Sequence, residues 1–237
     1  MPAGIVAALP GEARALVRLR ARGTATLADG SVVALSGLGA ERAATTARQL
    51  VADGADRLIS WGSAAALAPA LTPGDLLLPR AIVAEGGRLY PCDMAMIQAL
   101  TARLALTLRI QCGPLAEASG VLVNVAAKQV LYERSRAVAA DMESAAIARV
   151  AAEAGIGFMA IRAVADDARM ILPPAAHAAV DDDGALRPLA MLRALAGRPR
   201  SMHAQLRALK QLAVAFKAAQ DTLGVAAGAL VDTSKAA

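Results

Sequence analysis

Residues 139–167 read AADMESAAIARVAAEAGIGFMAIRAVADD, and this stretch decides the fold. Met142, Ala145, Ala146, Val150 and Ala154 recur at helical spacing, which predicts a helix over 141–153. Gly155 and Gly157 break it, and 158–164 (FMAIRAV) reads as a buried strand. A helix leading straight into a buried strand is one step of an alternating α/β chain.

The same alternation runs outward towards the N-terminus. Residues 4–9 (GIVAAL) and 31–36 (SVVALS) are apolar runs of strand length. Residues 41–53 (ERAATTARQLVAD) predict a helix with Ala44, Ala47, Leu50 and Val51 on one face, ended by Gly54. Residues 57–61 (RLISW) predict a third strand closed by Gly62-Ser63, and 75–78 (DLLL) a short fourth after the Pro73-Gly74 turn. Further on, 94–108 and 126–136 predict helices and 120–123 a strand. Strands apolar on both faces, alternating with helices, make a mostly parallel mixed sheet between helical layers. The expected class is α/β, three layers α/β/α.

The chain has 237 residues, enough for one domain with a full core. Residues 1–190 are expected to form the core domain and 191–237 a basic helical extension of it. Beyond Pro188 the pattern is helical and basic, with Arg193, Arg198, Arg200, Arg207, Lys210 and Lys217 among its basic residues and Leu206, Leu209, Leu212, Ala213 and Phe216 as an apolar face. Two readings stand for this tail: a helix packed on the core, or one lying on a membrane surface.

Composition excludes several function classes. Hydrophobic residues make up 57% and aromatics 2%, so the core is built from small side chains and a base-stacking platform for nucleic acid is not expected. A net charge of +5 reads as a basic solvated surface. Cys92 and Cys112 form no CxxC pair, and His177 and His203 have no metal-ligand spacing, so neither a disulfide framework nor a metal site is expected. The N-terminus lacks the charge order of a secretory signal. No run reaches the roughly 18 apolar residues of a membrane span. A soluble, cytoplasmic protein is the expectation, peripheral to the inner membrane face if the tail touches lipid.

Ligands of open α/β sheets bind where strands end, and polar groups gather there. Glu12 and Arg14 follow the first strand, Gly62 and Ser63 the third; Asp141, Met142 and Glu143 open the long helix, and Asp166 and Asp167 follow 158–164. Each acid also has an ordinary structural reading. Asp141 suits a helix N-cap, Asp166 or Asp167 a turn, and Glu12 a solvated helix start. Together they offer carboxylates at three separate strand ends. Cleaving a purine–ribose N-glycosidic bond needs an acid for the leaving base, a base or anion site for the nucleophile, and a carboxylate for the ribose hydroxyls. The acid must stay protonated near neutral pH, and adjacent Asp166 and Asp167 supply a like-charge neighbour.

The segments GLGAERAATTARQL, ISWGSAAALAPALTPGDLLLP, AADMESAAIARVA and AIRAVADDA resemble, in order, the nucleoside phosphorylase and methylthioadenosine nucleosidase superfamily. The resemblance covers most of 4–168, with DMESAAIA its most specific part. It implies that Asp166 protonates the purine at N7 and Glu12 activates water. It implies that Glu143 binds the ribose hydroxyls, Met142 packs on the sugar, and Ser63 and Gly62 line the nucleophile site. Arg14 or Arg42 would meet inorganic phosphate if phosphate is the co-substrate; no other cofactor and no metal is implied. It also implies a homodimer.

Two departures stand out. Ala165 takes the place of the family's Ser before the acid, and 124–129 (NVAAKQ) does not match the usual base-packing segment. The stretch 79–120 is shorter than in methylthioadenosine nucleosidases. With GGRLYPCD and the basic tail, this resembles the hopanoid-associated branch, which implies adenine release from adenosylhopane to give ribosyl- or phosphoribosyl-hopane. Alternatives are a methylthioadenosine/adenosylhomocysteine nucleosidase, a futalosine-type hydrolase, or a non-catalytic nucleoside-binding protein. A dinucleotide-binding loop at GLGAERAA fails, because Arg42 stands where the third Gly belongs.

Overall fold

The computed structural model describes residues 2–19, 23–172 and 202–233. In chain order the elements are β1 (Ala3–Ala7), α1 (Pro10–Ala13), β2 (Thr24–Thr26), β3 (Val32–Leu35), α2 (Ala40–Ala52), β4 (Arg57–Ala66), β5 (Leu76–Leu77) and β6 (Ala81–Val83). There follow β7 (Leu89–Pro91), α3 (Met94–Leu104), β8 (Ile110–Gln111), β9 (Leu115–Glu117), α4 (Val125–Ser135), β10 (Ala139–Asp141), α5 (Ser144–Ala154), β11 (Gly157–Asp166) and α6 (Met202–Thr233).

The centre of the sheet is the parallel pair β4 and β11, in register from Arg57–Gly157 to Ala64–Val164. β1 flanks β4 on its other edge, also parallel, and β3 follows β1. Past Trp61 β4 leaves β1, and Ala65 and Ala66 pair antiparallel with β10 while β11 stays alongside as far as Ala65. The path then continues through β9 and β6 to β7. The result is a mixed, mainly parallel sheet flanked by helices, as the alternation predicts.

Small side chains let the layers approach. Ala43, Ala44 and Ala47 of α2 and Ala145, Ala148 and Ala151 of α5 are buried where these helices meet. Trp61 is fully buried in the sheet centre, and its indole N–H donates to the Glu12 carbonyl at 2.9 Å. That bond pairs a buried donor, as burial requires, and fixes α1 over the end of β4.

The structure corrects several boundaries. β4 does not stop at Trp61 but runs through Gly62-Ser63 to Ala66. Residues 120–123 form no strand; the strand of this region is β9, and Val123 instead accepts from the Leu172 N–H at 3.0 Å. The helix expected from 141 begins at Ser144, because 139–141 belong to β10. Met142 therefore sits before the helix, and Ala154 is exposed rather than on the core face.

The tail helix packs on the core with a face that matches the one read from its sequence only in part: Leu209, Leu212 and Phe216 are half-buried. Ala215, Ala219, Thr222, Leu223, Ala226 and Ala227 are buried, whereas Leu206 and Ala213 are exposed. Thr222 donates to the Gly74 carbonyl at 2.6 Å, and Arg103 of α3 to the Ala229 carbonyl at 2.9 Å. The small residues of the C-terminal half allow this contact along β11. His177, Pro188, Arg193, Arg198, Arg200 and the boundary expected at 190 lie outside the described residues. Among the described residues no helix is long and apolar enough to cross a membrane, and no group of three or more His, Cys, Asp or Glu could hold a metal.

Candidate active site

Strand ends β1, β4, β10 and β11 open onto one cavity of about 190 Å³, lined among others by Glu12, Ser63, Asp141, Met142, Glu143 and Asp166. Five of the six residues expected to act as catalytic or sugar-binding groups are thus brought together. The sixth, Gly62, lies one residue before Ser63 and acts through space. A Cβ there would come within 2.3 Å of Arg162 Nη1 and 2.8 Å of the Glu12 carboxyl. Only a residue without a side chain lets these two groups approach the strand so closely.

Glu12 is placed by three donors. Ser63 gives its backbone N–H (2.8 Å) and hydroxyl (2.6 Å) to Oε1, and the Leu9 N–H reaches Oε2 at 3.1 Å. The carboxyl is 4% exposed, so it is aimed rather than solvated as a helix-start acid would be. Arg14 is exposed at the end of α1, and Arg42 lines a separate depression over α2; neither lines this cavity.

Glu143 lies at the turn from β10 into α5, and its Oε1 accepts the Gly39 N–H at 2.9 Å. Gly39 has φ +100, a left-handed conformation that suits glycine and turns the N–H onto the carboxyl. Burial first, then the charge of Asp141, pushes the Glu143 carboxyl up to about 7; Arg162 and the Gly39 N–H pull the other way, and Glu12 adds a smaller push upward.

Asp141 is neither a simple N-cap nor free. It accepts from Ser144 N (3.2 Å) and Oγ (2.5 Å) and pairs with Arg162 Nη2 at 2.6 Å. Arg162 also donates to Ser60 Oγ at 2.6 Å and Ser144 Oγ at 3.1 Å, all out of solvent. This buried network locks the ends of β4, β10 and β11 together under the cavity.

Asp166 ends β11 at a register shift, where Ala165 is extra and Asp166 pairs with Ala65. Such a bulge re-aims a side chain. Its carboxyl is held by Lys128 of α4 through a direct ion pair. Burial pushes Asp166 above the ordinary aspartate range, against the charge and hydrogen bond of Lys128; Asp167 adds the smallest contribution, upward. The like-charge neighbour read from the sequence acts in the expected direction, but burial is the larger cause.

Sequence reasoning missed Lys128 and Arg162. Arg162 left a signal, since a cation inside an otherwise apolar buried strand must find a partner. Lys128 left little: on a mostly exposed helix a lysine reads as solvated, yet it is 1% exposed.

Four acids and two paired buried cations around one cavity form an electronegative site fitted to a cationic or proton-accepting reactant. Residues 2–196 match the family model of the Phosphorylase superfamily. The chain belongs to the Phosphorylase superfamily. Solved structures agree on the fold. A candidate methylthioadenosine nucleosidase from Weissella paramesenteroides is similar with a TM-score of 0.66 and 20% identity, covering 100% of both chains. The methylthioadenosine/adenosylhomocysteine nucleosidase of Neisseria meningitidis scores 0.64 at 20% identity, over 94% of this chain and 98% of its own. The futalosine hydrolase of Helicobacter pylori scores 0.63 at 17% identity, over 90% and 97%. No curated protein matches in sequence. For a member of the Phosphorylase superfamily, the cavity at the strand ends is the place to look for chemistry.

Proposed function

We propose that this protein is a purine nucleosidase that uses water to release adenine from a 5′-substituted adenosine with a bulky apolar substituent, adenosylhopane being the substrate that fits the reading. The observation that carries it is the convergence of Glu12, Glu143 and Asp166 on one cavity. Asp166 gives a proton to N7 of the leaving base. Glu143 holds the ribose hydroxyls against Met142, and its negative charge steadies the cationic ribosyl group that forms as the C1′–N9 bond breaks. Glu12, oriented by Ser63, takes a proton from the attacking water, whose oxygen bonds to C1′. The products are adenine and the 5′-substituted ribose.

Water is favoured over phosphate by the charge of the site. Among the described residues the cavity lining has acids and no Arg or Lys, and such a pocket repels a phosphate dianion. With phosphate as co-substrate, Arg14 or Arg42 would have to approach from outside the lining.

The apolar substituent is favoured by size and rim. Ligand sites that enclose a drug-sized molecule run to roughly 300–1,000 Å³; a cavity of about 190 Å³ leaves a large 5′ group outside. Val121, Leu122 and Leu172 line the cavity, and Val121 and the adjacent Val123 and Ile171 are 44%, 39% and 62% exposed. A lipid-linked substrate also fits transient contact of the exposed Leu206 and Val214 with a membrane surface, and a homodimer remains part of the proposal.

The test is a substrate panel. Adenine released from adenosylhopane in detergent faster than from methylthioadenosine, adenosylhomocysteine or futalosine analogues supports the reading. Preference for a small thioether substrate moves the protein to the methylthioadenosine nucleosidases. Adenine binding with no release from any nucleoside makes it a non-catalytic binding protein.

A further inference from the structure

Lys128 is a buried charge that the proposed reaction does not use and that contacts its proposed acid. It enters from α4, and its Nζ meets Asp166 Oδ2, the Asp167 carbonyl at 2.6 Å and the Met170 carbonyl at 3.3 Å. An ammonium has three N–H donors, and here three acceptors surround it, so its position is determined. It is 1% exposed and does not line the cavity.

A lysine so placed does two things to Asp166. It occupies Oδ2, which leaves Oδ1 as the oxygen available to a ligand in the cavity. It also ties the segment after β11 to α4, and Leu172 of that segment lines the cavity. Ala165 brings no hydroxyl to this carboxyl, so α4 supplies the constraint that the preceding residue cannot.

We infer that Lys128 is the positioning residue of Asp166: it fixes which carboxyl oxygen faces the base and sets the pH range in which Asp166 carries a proton. The inference rests on the nucleosidase reading for its kinetic consequence, but not for its geometry. The charged groups around Asp166 are Lys128 from α4, Asp167 beside it, and Glu12, Asp141 and Glu143 across the cavity. Lys128 is the cation among them that contacts Asp166 directly. Removing it leaves burial and like charges, all of which favour the protonated acid.

The test compares wild type with Lys128→Met, which keeps the length and loses the charge, and with Lys128→Gln, which can still donate to the two carbonyls should the first variant fail to fold. Carboxyl ¹³C titration, with the Asp166 signal assigned through Asp166→Asn, is read first. Asp166 is expected to titrate at higher pH in the Lys128 variants than in wild type. In the pH profile of base release, the basic limb moves upward while kcat falls more than KM rises. A merely structural lysine would lower the amplitude and leave the limb in place. Unchanged Asp166 titration in a folded variant overturns the inference. If wild type releases no base, the nucleosidase reading fails by itself, and the ¹³C titration still decides the role of Lys128.

Discussion

Glu12 lies in α1 after β1 and Ser63 near the end of β4, yet Ser63 gives both its N–H and its hydroxyl to the same oxygen, Glu12 Oε1, at 2.8 and 2.6 Å. Oε2 is bound by the Leu9 N–H at 3.1 Å. The carboxyl is thereby held in one orientation before any substrate arrives, which lowers the cost of ordering it during reaction.

Glu12→Gln keeps the shape and removes the proton acceptor. It is expected to lower kcat by about 10²–10⁴-fold, the usual range for a general base, with little change in KM. Steady-state kinetics on adenine release check this. An equal loss in kcat and rise in KM would make Glu12 a binding group instead.

Glu143→Gln should lower kcat/KM by roughly 10- to 100-fold, the range of hydrogen bonds to a charged group. The pH dependence has a definite sign. Because the folded carboxyl is raised to about 7 from 4.5, its contribution to stability is fully present below about 4.5 and is lost as pH rises through about 7. Thermal melts of the ligand-free protein across that window should show stability falling in wild type and falling less in Glu143→Gln.

Arg162 and Asp141 form an ion pair with both side chains 2% exposed. Removing one partner leaves the other charge buried and alone, so Arg162→Met should destabilise by about 3–5 kcal/mol. Urea unfolding measures it. A loss below 1 kcal/mol would mean that water reaches Asp141.

Gly62→Ala places a Cβ within 2.3 Å of Arg162 Nη1 and 2.8 Å of the Glu12 carboxyl. Either β4 shifts or Glu12 turns away, so both stability and turnover should fall. A crystal structure of the variant with Glu12 still bonded to Ser63, and unchanged kinetics, would contradict this.

The alternation from 139 to 167 was enough for the fold class because period and burial are local properties. Glu12, Ser63, Glu143 and Asp166 were legible as a set because acids and small polar residues cluster where apolar strands end. Their geometry was not, since it depends on register: one extra residue at Ala165 decides where Asp166 points. β4 was read too short because Gly62 and Ser63 look like a turn when nothing indicates that Arg162 and Glu12 press against them. The buried face of α6 is legible only in part, because Ala215, Ala219, Ala226 and Ala227 carry a weaker apolar signal than Leu206, Leu209 and Leu212 before them. Lys128 was out of reach, because only tertiary packing puts a lysine of an exposed helix beneath a strand end.

The most direct measurement is adenine release from adenosylhopane in detergent, with and without phosphate, by wild type and Asp166→Asn. Release by wild type at the same rate in both buffers, with a loss of about 10²-fold or more in the variant, is the expected result. No release by folded wild-type protein in either buffer would contradict the substrate, and release that requires phosphate would contradict water as the nucleophile.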